Sequence, residues 1–127
     1  MLTTGIDLLQ ISRVKESMKN PRFLARIFSD EERAFFRERK EAPETVAANF
    51  AAKEAFSKAL GTGIRGFALS EVSVLRDSLG APYFRFSGQA EKLVAARNLY
   101  FSVSLTHTAE MAAAFVVAYP NPSPQSE

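Results

Sequence analysis

The sequence predicts an α+β fold: helices early in the chain, then a mainly antiparallel sheet with one further helix packed against it. Three observations carry this. Up to about Leu60, apolar residues recur at helical spacings of three and four. After Gly61-Thr-Gly-Ile-Arg-Gly66 the period falls to two, and Asp77-Ser-Leu-Gly80 supplies a hairpin turn signal between two alternating runs. The last two apolar runs, Leu99 to Thr106 and Met111 to Tyr119, flank a short turn and read as an antiparallel pair buried at the centre.

Thr3 to Leu9 begins as a strand, with Ile6 and Leu8 on one face and Asp7 on the other. Aspartate is disfavoured inside strands. It therefore either bonds nearby backbone at the strand end or serves as a ligand. Ile11 to Met18 reads as a short helix with Ile11, Val14 and Met18 inward, broken by Asn20-Pro21. Arg22 to Phe28 adds a further turn or two. Ser29-Asp-Glu-Glu32 is a capping box that opens a helix to about Arg39, burying Phe35 and Phe36.

After Pro43 a long helix spans about Glu44 to Leu60, and Gly61 sits where a left-handed residue would end it. Ala47, Ala48, Ala51, Ala52, Ala55 and Ala59 form a broad band of small side chains, which leaves room for close approach. Val72 and Val74 alternate with Ser73 and Leu75 in the first strand of the hairpin. Asp77 is a turn residue, and Tyr83, Phe84 and Phe86 form the return strand. Ser87 to Arg97 is a helix that Ser87 can cap. In the strand that follows, Phe101, Val103 and Leu105 share one face, with Ser102, Ser104 and Thr106 on the other. One domain over residues 1–119 is expected, with residues 120–127, rich in proline and serine, as a disordered end.

Composition removes several chemistries. The 127 residues, 46% of them apolar, include 11 Phe and can bury a real core. There is no cysteine, so disulfides, thiolate metal sites and a cysteine nucleophile are out, and a reducing, cytoplasmic location is expected. A single histidine excludes a multi-histidine metal site. Any metal must be held by oxygen, which points to magnesium, calcium or manganese. No apolar run approaches a membrane span, no signal peptide is expected, and a net charge of +2 does not argue for nucleic acid.

The long helix carries the candidate chemistry. Glu54 and Lys58, four apart, share a face among the alanines, with Lys53 beside them and Gly61-Thr62-Gly63 after the helix. The simplest account is an exposed ion pair worth a few tenths of a kcal/mol. The alternative is a metal-assisted phosphate site built from a carboxylate, two ammonium groups and unhindered backbone N–H groups. Asp7 would then be the second carboxylate. His107, between two threonines at a strand end, is a turn residue or a site residue. From Met1 to Phe28, five basic residues face two acids, a balance of +3; Arg13, Arg22 and Arg26 suit either a solvated face or a docking patch for an acidic partner.

Three motifs occur in order: Gly5-Ile-Asp-Leu8, Phe50-Ala-Ala-Lys-Glu-Ala-Phe-Ser-Lys-Ala-Leu-Gly-Thr-Gly63 and Ser104-Leu-Thr-His-Thr108. With them the chain resembles the holo-acyl-carrier-protein synthases, the small stand-alone class of phosphopantetheinyl transferases, over Gly5 to Ala118. The resemblance implies transfer of phosphopantetheine from coenzyme A to a serine of apo acyl carrier protein. Adenosine 3′,5′-bisphosphate is released, in support of fatty acid biosynthesis. It also implies magnesium dependence and a homotrimer with active sites at subunit interfaces. By the same resemblance Asp7 and Glu54 are metal-binding carboxylates and Lys58 faces the pyrophosphate. Gly61, Thr62 and Gly63 lie near the nucleotide, with Lys53 alongside. Ser104, Thr106, His107 and Thr108 line the coenzyme site, and Arg13, Arg22 and Arg26 receive the carrier protein. Asp7, Glu54, Lys58 and His107 are the catalytic candidates, with either Glu54 or a metal-bound water taking the serine proton. The family's arginine before the long motif is Asn49 here, so a phosphate contact from that position is not expected. The rival expectations are a non-catalytic module for an acidic protein and a magnesium-dependent nucleotide phosphohydrolase.

Overall fold

The structure is a computed structural model and describes residues 1–122. Strand β1 (Thr3–Gln10) runs directly into α1 (Ile11–Ser17), followed by α2 (Pro21–Ile27), α3 (Asp30–Glu38) and α4 (Pro43–Leu60). A 3-10 turn (Leu69–Glu71) leads to the hairpin β2 (Val72–Arg76) and β3 (Pro82–Phe86). Then come α5 (Gly88–Arg97), β4 (Leu99–His107) and β5 (Met111–Pro120). The α+β architecture is as expected, and every strand pair is antiparallel.

There are two sheets rather than one: β1-β5-β4, and the separate β2-β3 hairpin. β5 is central and β4 is an edge strand, so only one member of the last pair is flanked on both sides. β5 runs through Pro120, and the Asn121 N–H bonds Asn98 O at 2.9 Å, so the chain is still paired where the tail was expected to start. The remainder of that tail, residues 123–127, lies outside the described residues.

Local signals set the helix ends. In the α3 capping box the Ser29 side chain accepts from Glu32 N, while Glu32 accepts from Ser29 N. Pro43 occupies the first turn of α4, where its missing N–H costs nothing. Gly61 closes the helix in the left-handed region at φ 80°. Ser87 stands at the α5 N-cap position, but its side chain makes no cap bond. The carboxylate of Glu71 does that work instead, with Oε1 accepting from Ala90 N at 3.2 Å and from Ala68 N at 3.1 Å. The strands thus bring a cap from 16 residues upstream, beyond the reach of a local pattern.

The inner face of the three-stranded sheet lies on α4. Ala51, Ala52, Ala55 and Ala59 pack against Ala114, Val116 and Ala118 of β5, with Leu9, Val103 and Leu105 at the margin. Small residues on both sides let a helix and a sheet approach closely. The room left by the alanine band is therefore filled by strands, not by a ligand. Gly5 marks the tightest point: a Cβ there would lie 2.0 Å from Ala55 O. Phe56, on another side of α4, is fully buried among Phe67, Phe84, Phe86 and Phe101, whose ring centroids lie 4.9–5.6 Å away. Such aromatic pairs add stability beyond the area they bury.

A buried polar network pins the hairpin to the helices. The Lys53 ammonium donates to Glu32 Oε1 at 2.5 Å, Leu69 O at 2.9 Å and Val72 O at 2.8 Å. Glu32 Oε2 accepts from Asn49 Nδ2 at 3.0 Å and Val74 N at 3.2 Å. Burial pushes the Glu32 carboxyl up and the Lys53 ammonium down, and each partner pulls the other back toward its charged form.

Candidate active site

β1 and α4 bring two sequence-distant carboxylates together. Gly5, Asp7 and Leu9 face inward on β1, while Ile6 and Leu8 face outward and are 63% and 62% exposed. The apolar pair on β1 is thus the outer face, and the aspartate points at the helix. Lys58 reaches across from α4 to donate to Ile6 O at 2.9 Å and Asp7 Oδ1 at 3.2 Å. Its side chain is 55% exposed against 14% for Asp7, so the contact sits at the rim of the site.

Glu54 lies one turn before Lys58 on the same helix face. Burial first, and then the nearby Asp7 carboxylate, hold the Glu54 carboxyl above its ordinary value, while Lys58 partly offsets both. The Asp7 carboxylate thus adds to the cost of charging Glu54, and a cation beside both would relieve it. Asp7 Oδ2 is buried and has no hydrogen-bond partner among the described residues. That orphaned oxygen, the hard oxygen donors and the adjacent Glu54 fit a divalent cation such as magnesium. Among the described residues no cluster of three or more His, Cys, Asp or Glu could hold a metal. Two protein carboxylates alone suit an ion that keeps its waters and shares substrate phosphates.

A model of the 4'-phosphopantetheinyl transferase superfamily matches residues 3–116. The chain belongs to that superfamily. A holo-[acyl-carrier-protein] synthase of Clostridium botulinum (strain Eklund 17B / Type B) is 41% identical over 114 residues, covering 89% of this chain and 93% of the relative. The crystal structure of holo-[acyl-carrier-protein] synthase from Neisseria meningitidis superposes with a TM-score of 0.86 at 32% identity, over 92% of this chain and 97% of that one. The Helicobacter pylori synthase in complex with coenzyme A gives 0.81 at 30% identity, over 91% and 99%.

Within this phosphopantetheinyl transferase fold the other expected site residues fall in separate places. Lys53 is fully buried, and its three oxygen partners use up its ammonium protons. It is a core cation and not a coenzyme ligand, which corrects the sequence-based expectation. Gly61, Thr62 and Gly63 lie at the exposed C-terminal end of α4, where Thr62 Oγ1 donates to Gly63 O at 3.3 Å. Ser104 and Thr106 are on the outer face of β4, away from Asp7. The register Asp7–Ala114–Leu105 puts β4 two strands from β1, roughly 10 Å at ordinary strand spacing. Thr108 Oγ1 accepts from Glu110 N and Met111 N, so that oxygen shapes the β4-β5 turn.

His107 lines a different cavity of about 230 Å³ with Arg39, Arg76, Glu44 and Thr106. One chain therefore joins Asp7, Glu54 and Lys58, but it does not join them to His107, Ser104 or Thr106. Arg13, Arg22 and Arg26 are all exposed on α1 and α2 and have no ion-pair partner among the described residues. Arg13 also edges an apolar groove of about 290 Å³ lined by Leu8, Val14, Phe50 and Met111. Sequence reasoning missed Arg39 and Arg76. Neither lies in a motif, and only the packing of α3 against β2 places them together.

Proposed function

We propose that this chain transfers the 4'-phosphopantetheine arm of coenzyme A to a serine of apo acyl carrier protein, releasing adenosine 3′,5′-bisphosphate, in support of fatty acid biosynthesis. The observation that carries the reading is the convergence of Asp7, with its orphaned oxygen, and Glu54 beside Lys58. It occurs in a chain whose relatives, about 40% identical, are holo-[acyl-carrier-protein] synthases. Phosphoryl-type transfer leaves little covalent work to a protein, and positioning with charge neutralisation does most of it.

Asp7 and Glu54 would hold magnesium, which supplies charge neutralisation at the diphosphate when bound. Lys58, held at the rim by Ile6 O and Asp7 Oδ1, adds a fixed positive charge to the same oxygens. The serine proton passes to Glu54 or to a water. The chain has no cysteine, and among the described residues His107 is bonded to no serine or aspartate side chain, so direct transfer is the simpler course. Arg13, Arg22 and Arg26, exposed and unpaired among the described residues, form the face that receives the acidic carrier protein. This reading puts the reaction in the cytoplasm, a reducing compartment that suits a chain without cysteine.

A homotrimer completes the arrangement. The outer sheet face exposes Ile6, Leu8 and Phe115 beside the hydroxyls of Ser104 and Thr106. An apolar patch of this kind commonly marks an interface. Copies of this chain covering it would bring Ser104, Thr106 and His107 of one copy near the carboxylates of another. Light scattering of the purified protein tests the assembly, and a monomer at micromolar concentration would refute it.

The activity is tested with apo carrier protein, coenzyme A and magnesium, read by intact mass. A gain of one phosphopantetheine per carrier is expected. Unchanged carrier mass, or breakdown of the nucleotide without transfer, would refute the reading.

A further inference from the structure

Lys58 passes over the acid on its own helix. Glu54 lies four residues before it, the spacing of an ordinary helical ion pair. Among the described residues no such pair forms. The ammonium instead crosses to β1, donating to Ile6 O at 2.9 Å and to Asp7 Oδ1 at 3.2 Å. Both acceptors belong to neighbouring residues of an edge strand. The carbonyl is neutral, so this half of the anchor holds whatever the charge on Asp7. Two of the three ammonium protons are used, and the third is left for a substrate oxygen.

The two oxygens of Asp7 are thereby made unequal. Oδ1 is engaged by Lys58, whereas Oδ2 is buried and has no hydrogen-bond partner among the described residues. The Glu54 carboxylate has no ion-pair partner among them either. A buried carboxylate oxygen needs a donor or a cation. A divalent ion that took both oxygens of Asp7 would have to share Oδ1 with an ammonium, and like charges that close repel strongly. An ion that takes Oδ2 alone avoids the ammonium.

Ligation by one oxygen or by two separates the hard cations. Magnesium is small, demands octahedral geometry, keeps several waters and takes few protein carboxylates. Calcium accepts more oxygens in a looser shell and often binds a carboxylate through both of them.

We infer that Lys58 is a positioning residue that restricts Asp7 to one metal-binding oxygen, Oδ2, and so biases the site toward magnesium and against calcium. This rests on the magnesium reading above. It gives Lys58 a task before coenzyme arrives, besides the charge it offers the diphosphate. The side chain is 55% exposed, so replacing it opens no hole in the core.

Calorimetric titration with magnesium and with calcium, each without coenzyme, tests this in the wild type, Lys58→Met, Lys58→Arg and Asp7→Asn. Lys58→Met should bind both ions more tightly, magnesium by about tenfold from the lost repulsion. Calcium should gain about a further fivefold from the second oxygen, raising the calcium-to-magnesium affinity ratio by that factor. In Lys58→Arg, which keeps a cation on Oδ1, the ratio should stay within about twofold of wild type. An unchanged ratio in Lys58→Met would overturn the proposal, as would the same rise in Lys58→Arg. A second measurement needs only the wild type. In infrared difference spectra of protein labelled at the aspartate carboxyl carbons, one-oxygen ligation splits the two carboxylate stretches more widely than two-oxygen ligation. Wide splitting with calcium is expected, and narrow splitting would overturn the proposal. Binding that survives in Asp7→Asn, or no binding to any of the four proteins, would overturn the magnesium reading and this inference with it. The mass assay for transfer uses neither readout, so failure of the transferase reading shows there separately.

Discussion

Replacing Gly5 with alanine should damage both stability and turnover, because one backbone contact sets the spacing of the carboxylates. A Cβ at Gly5 would lie 2.0 Å from Ala55 O and 2.8 Å from Ala59 N, both backbone atoms that cannot swing aside. Even a tight carbon contact needs about 3.0 Å, so β1 and α4 must part by at least 1.0 Å, the difference of those distances. Asp7 follows Gly5 by two residues on the same face, and Glu54 adjoins Ala55, so the movement falls on the site. The 2.7 Å bond from Thr3 Oγ1 to Ala59 O spans the same gap and would be stretched. Overpacking of this kind costs about 1–3 kcal/mol. In a domain of this size that lowers Tm by roughly 3–15 °C. A displacement of about 1 Å at a phosphoryl-transfer site costs on the order of 100-fold in rate. Thermal unfolding at matched protein concentration and kcat/KM for carrier protein check both arms. A Gly5→Ala protein with wild-type Tm and wild-type kcat/KM would refute the close-approach argument.

Three further outcomes follow from the same geometry. Glu54→Gln should abolish transfer while raising Tm at neutral pH. The raised carboxyl pKa in the folded state means that this group's stabilising contribution is present below its ordinary value of 4.5 and is lost as pH rises through the raised one. The Tm advantage of the variant should therefore shrink as pH falls toward 4.5, and an advantage that grew on acidification would contradict the assignment. Lys53→Met should cost about 3–5 kcal/mol by leaving Glu32 buried and unpaired, with no change in KM for coenzyme A of the folded fraction. A raised KM with intact Tm would return Lys53 to the coenzyme site. Charge reversal at Arg13 and Arg22 together should raise KM for carrier protein, more so at low salt, and leave coenzyme A affinity unchanged. The opposite pattern would place the docking face elsewhere.

Much of this protein is written locally. The Ser29–Glu32 capping box, the left-handed Gly61 and the change of period after Gly66 each act within a few residues, so they fix element type and ends without help from the rest of the fold. The candidate carboxylates were legible for a similar reason, since a charged residue in an apolar strand and a Glu-Lys pair in an alanine helix are local anomalies. What could not be read is which charge meets which. Lys53 and Lys58 sit on one helix with similar neighbours, yet Glu32 from α3 claims Lys53 for the core and Asp7 from β1 holds Lys58 at the rim. Arg39, Asn49 and Arg76 come together only because α3, α4 and β2 converge on one side of the molecule. The sequence alone determined most of the elements and singled out Asp7 and Glu54 as candidate site acids. Tertiary structure decided the partner of every buried charge, because a charge leaves water only where another chain segment supplies its counter-ion, and no local pattern encodes that segment.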